Sequence, residues 1–229
     1  MKVEHLSVAY GQVTVLENIN VTLRKGVLTG IIGPNGAGKS TFLKALVGLV
    51  PSDGVITYDD FDAKMAYVPQ RQAIDLSYPI TVFDMVLMGT YPSLGLFQRP
   101  GKKERAAVKK SLVAVEMENY AQRQISALSG GQLQRVVIAR ALVQEANVYL
   151  LDEPFAGVDI VSEKIIMHRI HSLQQQGHTV IIVHHDLTKV QEYFEDVLLL
   201  NKTTAIHGKV ADVFTSETIA QAYGIAINL

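Results

Sequence analysis

Apolar residues along this chain follow two rhythms. Three short runs are continuous and rich in β-branched residues: GVLTGIIG at 26–33, ANVYLLD at 146–152 and HTVIIVHH at 178–185. None alternates with period two, as expected of strands covered on both faces in a largely parallel sheet. Between the last two, Val161, Ile165, Ile166, Ile170 and Leu173 recur at helical spacing and Gly177 follows as a stop, which predicts a helix over 161–176. Strand, helix and strand in this order read as an α/β fold.

Residues 72–145 keep the helical rhythm without a strong strand pattern. Thr81 is placed to cap a helix reaching Leu87, with Asp84 three residues on. A second helix is predicted over 102–117, with Val108, Leu112 and Val115 on one side and charges elsewhere. YPSLGLFQRPGKK, 91–103, is turn-rich and reads as the loop between them, and KKERAAVKK reads as a solvated helix face. The simplest organisation is one domain over 1–229, with core segments 1–71 and 146–229 and a helical subdomain, 72–145, inserted between them. TSETIAQAYG, 215–224, reads as a short capped helix, leaving no room after it for a regulatory domain.

Composition narrows the function classes. The chain has 229 residues, 48% hydrophobic, enough for a real core. Its 21 basic residues against 22 acidic give no net attraction for nucleic acid or anionic lipid, so no nucleic-acid partner is expected. Without cysteine there is no disulfide and no thiolate metal site. No apolar stretch approaches the ~18 residues of a spanning helix, and the N-terminus has no leader-like run. A cytoplasmic protein is expected, and any work at a membrane requires a partner that supplies one.

The candidate chemistry starts at GPNGAGKST, 33–41. Gly33, Gly38, Lys39 and Ser40 satisfy G-x-x-x-x-G-K-[ST], between an apolar run and a helical one. Glycines let the backbone N–H groups turn inward as an anion nest, and the following helix adds its positive end. Lys39 then reaches the β- and γ-phosphates of a nucleoside triphosphate, and the Ser40 hydroxyl is placed for Mg²⁺. VYLLDEP, 148–154, ends a strand in two carboxylates: Asp152 suits the Mg²⁺ shell, and Glu153, pointing elsewhere, suits polarising a water. LSGGQLQR, 128–135, puts Ser129, Gly130 and Gly131 just before a helix running through Arg140, a second phosphate-facing helix end. One nucleotide does not need two cradles from one chain; two chains head to tail would use both.

These three stretches together resemble the ATP-binding cassette (ABC) family over essentially the whole chain. The resemblance implies a P-loop NTPase core with a mixed, largely parallel sheet and an inserted helical subdomain. It implies a homodimer on ATP binding, each ATP sandwiched between one copy's Gly33, Pro34, Asn35, Gly36, Ala37, Gly38, Lys39, Ser40 and Thr41 and the other copy's Ser129, Gly130, Gly131 and Gln132. Tyr10 resembles the aromatic that stacks on adenine, and Gln70 in YVPQR the glutamine that reaches Mg²⁺ and the attacking water. Asp159 in AGVD resembles the aspartate that communicates across the dimer, and His185 in IIVHHD the switch histidine at the γ-phosphate. His184 stands where the family often has threonine, and the spacing before Asp186 favours His185 for the switch role. The implied catalytic set is thus Glu153, His185, Gln70 and Lys39, with Ser40, Gln70 and Asp152 around Mg²⁺.

A separate cassette points to a multi-subunit importer, with integral membrane permease subunits as direct partners and an extracytoplasmic substrate-binding protein as an indirect one. It would lie on the inner face of the cell membrane through the permease. PITVFDMVLMG and DEPFAGVD look like the manganese/zinc/iron uptake branch. An importer for an organic substrate, or a cytosolic ABC ATPase that remodels a protein or nucleic-acid complex, is the alternative. His168 and His171, at i and i+3, have no obvious third ligand and read as surface histidines rather than a metal site.

Overall fold

The computed structural model describes residues 1–58, 64–95 and 98–224. The chain opens with strands β1 (Lys2–Tyr10) and β2 (Val13–Thr22), then β3 (Leu28–Ile32) and helix α1 (Lys39–Leu46), then β4 (Asp53–Thr57) and β5 (Met65–Val68). Helices α2 (Val82–Leu87), α3 (Lys102–Ala114) and α4 (Gly130–Leu142) follow. The second half runs β6 (Val148–Asp152), α5 (Ile160–Gln175), β7 (Thr179–Val183), α6 (Val190–Tyr193), β8 (Asp196–Asn201), β9 (Thr204–Lys209), α7 (Val210–Val213) and α8 (Ser216–Tyr223).

A six-stranded sheet in the order β5-β6-β7-β3-β8-β9 is parallel except for the β8–β9 hairpin. β2-β1-β4 form a separate antiparallel sheet. The continuous apolar runs are explained by burial on both faces of the larger sheet. Val148, Leu150, Ile181, Val183, Leu198 and Leu200 pack toward α1 and the antiparallel sheet. Their alternates Tyr149, Leu151, Val180, Ile182, Val197 and Leu199 pack toward α2, α3, α4 and α5. α2, α3 and α4 lie in the chain between β5 and β6, which pair directly, so the chain leaves the sheet at β5 and returns beside it.

Thr81 caps α2 by accepting from the Asp84 N–H at 3.1 Å, as its spacing predicts. α8 is likewise capped, by Thr215, and ends at Gly224 in the left-handed region. Three expectations are corrected. α3 stops at Ala114 rather than 117, because Glu116 turns the chain at φ 56° so that Val115 and Met117 can both be buried. Val161 is 68% exposed; the buried face of α5 is Ser162, Ile166, Met167, Ile170 and Leu173. Part of 91–103 is ordered as a 3-10 turn, Met88–Ser93, with positions 96 and 97 outside the described residues.

One polar cluster pins the start of β8. Asp196 is fully buried, and its carboxylate accepts from Arg24 Nε at 2.7 Å and from Arg24 Nη2, with His207 Nε2 at 3.3 Å. Removing the arginine strands a buried carboxylate. Arg24→Ala is therefore expected to cost about 3 kcal/mol, read as a lower urea midpoint at unchanged slope.

Candidate functional site

β3 is buried at all five positions and delivers the chain to Gly33 in a fixed place. A Cβ on Gly33 would fall 2.0 Å from the Leu200 carbonyl oxygen of the neighbouring strand, so that glycine is demanded by close approach. Gly38 has a different reason: it caps α1 at φ 89°, a conformation that side-chain-bearing residues rarely adopt. The resulting loop, Asn35–Thr41, lines a cleft of about 360 Å³ together with Val15, Gln70 and Glu153. The first turn of α1 directs N–H groups without intrahelical partners into this loop, where an anion is stabilised. Lys39 is almost fully buried, and its Nζ donates to the Gly33 and Pro34 carbonyls at 2.7 and 2.8 Å. Burial pushes its pKa down, an effect partly offset by Glu153 and Asp152.

Three candidate metal-site residues converge beneath the cradle. Asp152, 1% exposed at the end of β6, accepts from Ser40 Oγ at 2.8 Å and from Gln70 Nε2 at 3.4 Å, and Gln70 Nε2 also donates to Ser40 Oγ at 3.2 Å. The Tyr67 hydroxyl donates to the other Asp152 oxygen at 3.2 Å. Burial and the carboxylate together push the Tyr67 pKa well up, so it stays a donor. Among the described residues Asp152 thus has only neutral donors around a buried carboxylate. A hard divalent cation fits this set: hydroxyl, carboxylate and, after rotation of the Gln70 amide, a carbonyl oxygen. Glu153 diverges from its neighbour because its backbone is left-handed, φ 50°, a strained conformation of the kind that collects at reactive sites.

The Ser129 side chain caps α4, accepting from the Gln132 N–H at 3.3 Å, while Gln132 Oε1 accepts from the Ser129 N–H at 3.0 Å. The box holds Ser129 exposed at the helix start, with Gly131 buried behind it. Asp159 caps α5 through the Ser162 N–H at 2.9 Å, which holds its pKa low. His184 and His185 separate cleanly. His184 is buried at centroid distances of 5.6 Å from both Phe155 and Phe194, and burial lowers its pKa to about 4. His185 stands exposed at the strand end.

Other expected members are apart from the cleft wall. Tyr10 lies at the end of β1, 48% exposed, and Val15 rather than Tyr10 lines the cleft. Ser129, Gly130, Gly131, Gln132, Asp159 and His185 are outside it too. Two residues escaped the sequence reading. Tyr67 lies three positions before Gln70 on the adjoining strand, and only the contact across the sheet shows its bond to Asp152. Arg71 lies against Gly130; it ends the YVPQR stretch, whose spacing assigns a role to Gln70 alone. Among the described residues no group of three or more His, Asp or Glu forms a metal cluster, and on α5 His168 is exposed and His171 half-buried.

Comparison with known proteins bears directly on this geometry. The family model described as ABC transporter matches residues 16–156. The manganese transport system ATP-binding protein MntB of Listeria monocytogenes is 52% identical, covering 99% of this chain and 97% of that protein. The zinc transport system ATP-binding protein TroB of Treponema pallidum is 48% identical, covering 98% and 86%. A solved inward-facing structure described as of metal-chelate type ABC transporter superposes with a TM-score of 0.85 at 30% identity, over 96% of this chain and 87% of that one. A dimeric ATP-binding cassette in a post-hydrolysis state with ADP and Pi gives 0.79 at 26% identity, over 91% and 98%. The family implied by the three motifs and the metal-uptake branch agree with these relatives. With P-loop, paired carboxylates and signature helix in one fold, the chain belongs to the ABC transporter family.

Proposed function

We propose that this chain is the ATP-hydrolysing subunit of a multi-subunit importer of divalent metal ions. The observation that carries the hydrolytic reading is the convergence of Ser40, Gln70 and Asp152 beneath a lysine-bearing phosphate cradle, with Glu153 on the same cleft. The metal cargo rests on relatives named for manganese and zinc transport. No helix among the described residues is long and apolar enough to cross a membrane, which fits a subunit that acts through separate permease subunits.

In this reading the 33–41 amides and Lys39 bind the phosphates of ATP, and Tyr10 stacks on its adenine. Ser40, Asp152 and Gln70 would hold Mg²⁺, which when bound would supply positive charge against the phosphates. Ser129, Gly130, Gly131 and Gln132 of a second copy close over the γ-phosphate, and Asp159 joins the two copies across the interface. Glu153 orients the attacking water and accepts its proton; His185 fixes the γ-phosphate side. Most of the barrier is removed by positioning and preorganised charge. Residues 72–145 form a helical subdomain hinged at Gln70 that transmits closure to the permease, on the cytoplasmic face of the membrane, while an extracytoplasmic binding protein delivers cargo.

The test of the cargo is elemental analysis of the source cells carrying only Glu153→Gln, grown with limiting metals. A selective fall in manganese, zinc or iron is expected. Metal contents equal to wild type would remove the metal reading and leave the ATPase reading standing.

A further inference from the structure

The two signature glycines are occupied by two different neighbours. A Cβ on Gly131 would fall 2.3 Å from Asp159 Oδ2 and 2.5 Å from Ser162 Oγ. A Cβ on Gly130 would fall 2.3 Å from Arg71 Nη1 and 3.0 Å from its Cζ, with the Gly157 carbonyl oxygen at 3.1 Å. The guanidinium therefore lies on bare backbone at the start of α4. It also reaches the Gly157 turn, where a Cβ would stand 3.8 Å from Nη1. That turn runs from Glu153 to Asp159 and is closed by the Ala156 N–H on the Glu153 carbonyl at 3.2 Å. Arg71 follows Gln70 directly and makes no ion pair among the described residues. With Gln70, Glu153 and Gly157 it lines a cleft of about 530 Å³.

We infer that Arg71 is a positioning residue for ATP hydrolysis: it clamps the Gly130 end of α4 to the turn that carries Glu153 and Asp159. Arg71 follows Gln70, whose amide bonds Ser40 and Asp152, so the clamp sets the angle at which the hinged subdomain presents its signature face relative to its own copy's metal site. This rests on the head-to-tail ATPase reading above. The physical logic is preorganisation. A signature helix free to rock on the core must lose that freedom when the dimer closes, and the loss weakens closure. A planar guanidinium suits the task because it can lie flat across two glycines, which the compact ammonium of lysine cannot do.

The experiment compares wild type, Arg71→Ala and Arg71→Lys, each also in the Glu153→Gln background. Fluorescent-nucleotide titration reads monomer affinity, sedimentation reads MgATP-dependent dimerisation, and steady-state assays separate kcat from KM. Arg71→Ala is expected to keep nucleotide affinity within about twofold while dimerisation weakens and kcat falls by about tenfold. Arg71→Lys is expected to lose at least about threefold in dimerisation, and it carries the test if the alanine variant does not fold. Unchanged dimerisation and kcat would overturn the clamp. So would a loss confined to nucleotide affinity, which would put Arg71 in its own copy's cradle. Wild type that neither hydrolyses ATP nor dimerises would refute the ATPase reading itself, an outcome visible without any Arg71 variant.

Discussion

Replacing Glu153 by glutamine is expected to lower kcat about a thousandfold while MgATP affinity stays within about twofold of wild type. The amide keeps the size of the side chain and its left-handed backbone, φ 50°, but cannot accept a proton. It also leaves the neighbouring Asp152 bonded to Ser40, Gln70 and Tyr67, so the phosphate and cation sites survive. Because closure then outlives the blocked chemistry, a stable MgATP-dependent dimer accumulates, read by sedimentation beside single-turnover phosphate release. Glu153→Gly separates backbone from carboxylate: turnover is lost equally, but the glycine accepts positive φ without strain and recovers about 1 kcal/mol of stability. Residual turnover within about tenfold of wild type in both variants would move the proton acceptor to another residue.

Why the motif residues were legible and other parts were not is a matter of sequence distance. The P-loop, the Asp152–Glu153 pair and the Ser129 stretch are local, so spacing alone places their groups near one helix start or strand end, although Gly130 and Gly131, expected just before the helix, form its first two residues. The buried parallel strands were equally plain, since two covered faces leave few polar positions, such as Thr29 and Thr179, to blur them. β1 and β2 were harder. Their ladder shifts register three times, and His5 and Asn18 adopt φ of 53° and 52°, so apolar positions do not keep a strict alternation. Val161 misled because periodicity identifies a stripe without saying where it ends; Ile160 and Val161 both stand exposed beside Asp159. His184 and His185 are distinguished by strand parity. Continued from β7, parity puts His184 with Val180 and Ile182 on the face packed against Phe155 and Phe194. Tyr67 and Arg71 depend on contacts with residues 85 and about 60 positions away, which no local spacing encodes.

Lys39→Ala is expected to weaken MgATP binding about a hundredfold, the cost of losing a charge-assisted bond in a partly desolvated cradle. The direction follows from where the ammonium sits. Its Nζ is fixed by the Gly33 and Pro34 carbonyls, so it is held at the loop rather than trailing into solvent, and little entropy remains to be lost when phosphate arrives. Burial lowers its pKa against the pull of Glu153 and Asp152, which means that the charged form is destabilised here and gains from an incoming anion. For the same reason the alanine variant folds: it surrenders two hydrogen bonds but also a buried charge, and the net change in unfolding free energy is about 1 kcal/mol or less. The expected signature is therefore an affinity loss without a matching fall in Tm, measured by fluorescent-nucleotide titration and thermal unfolding on one preparation. Saturating ATP does not restore the wild-type rate, because charge gathers on the transferred phosphoryl oxygens in the transition state, where a fixed cation acts most strongly. Equal affinity in Lys39→Ala and wild type would mean that the amides of 33–41 hold the phosphates unaided, and that the lysine serves the loop it is bonded to rather than the nucleotide.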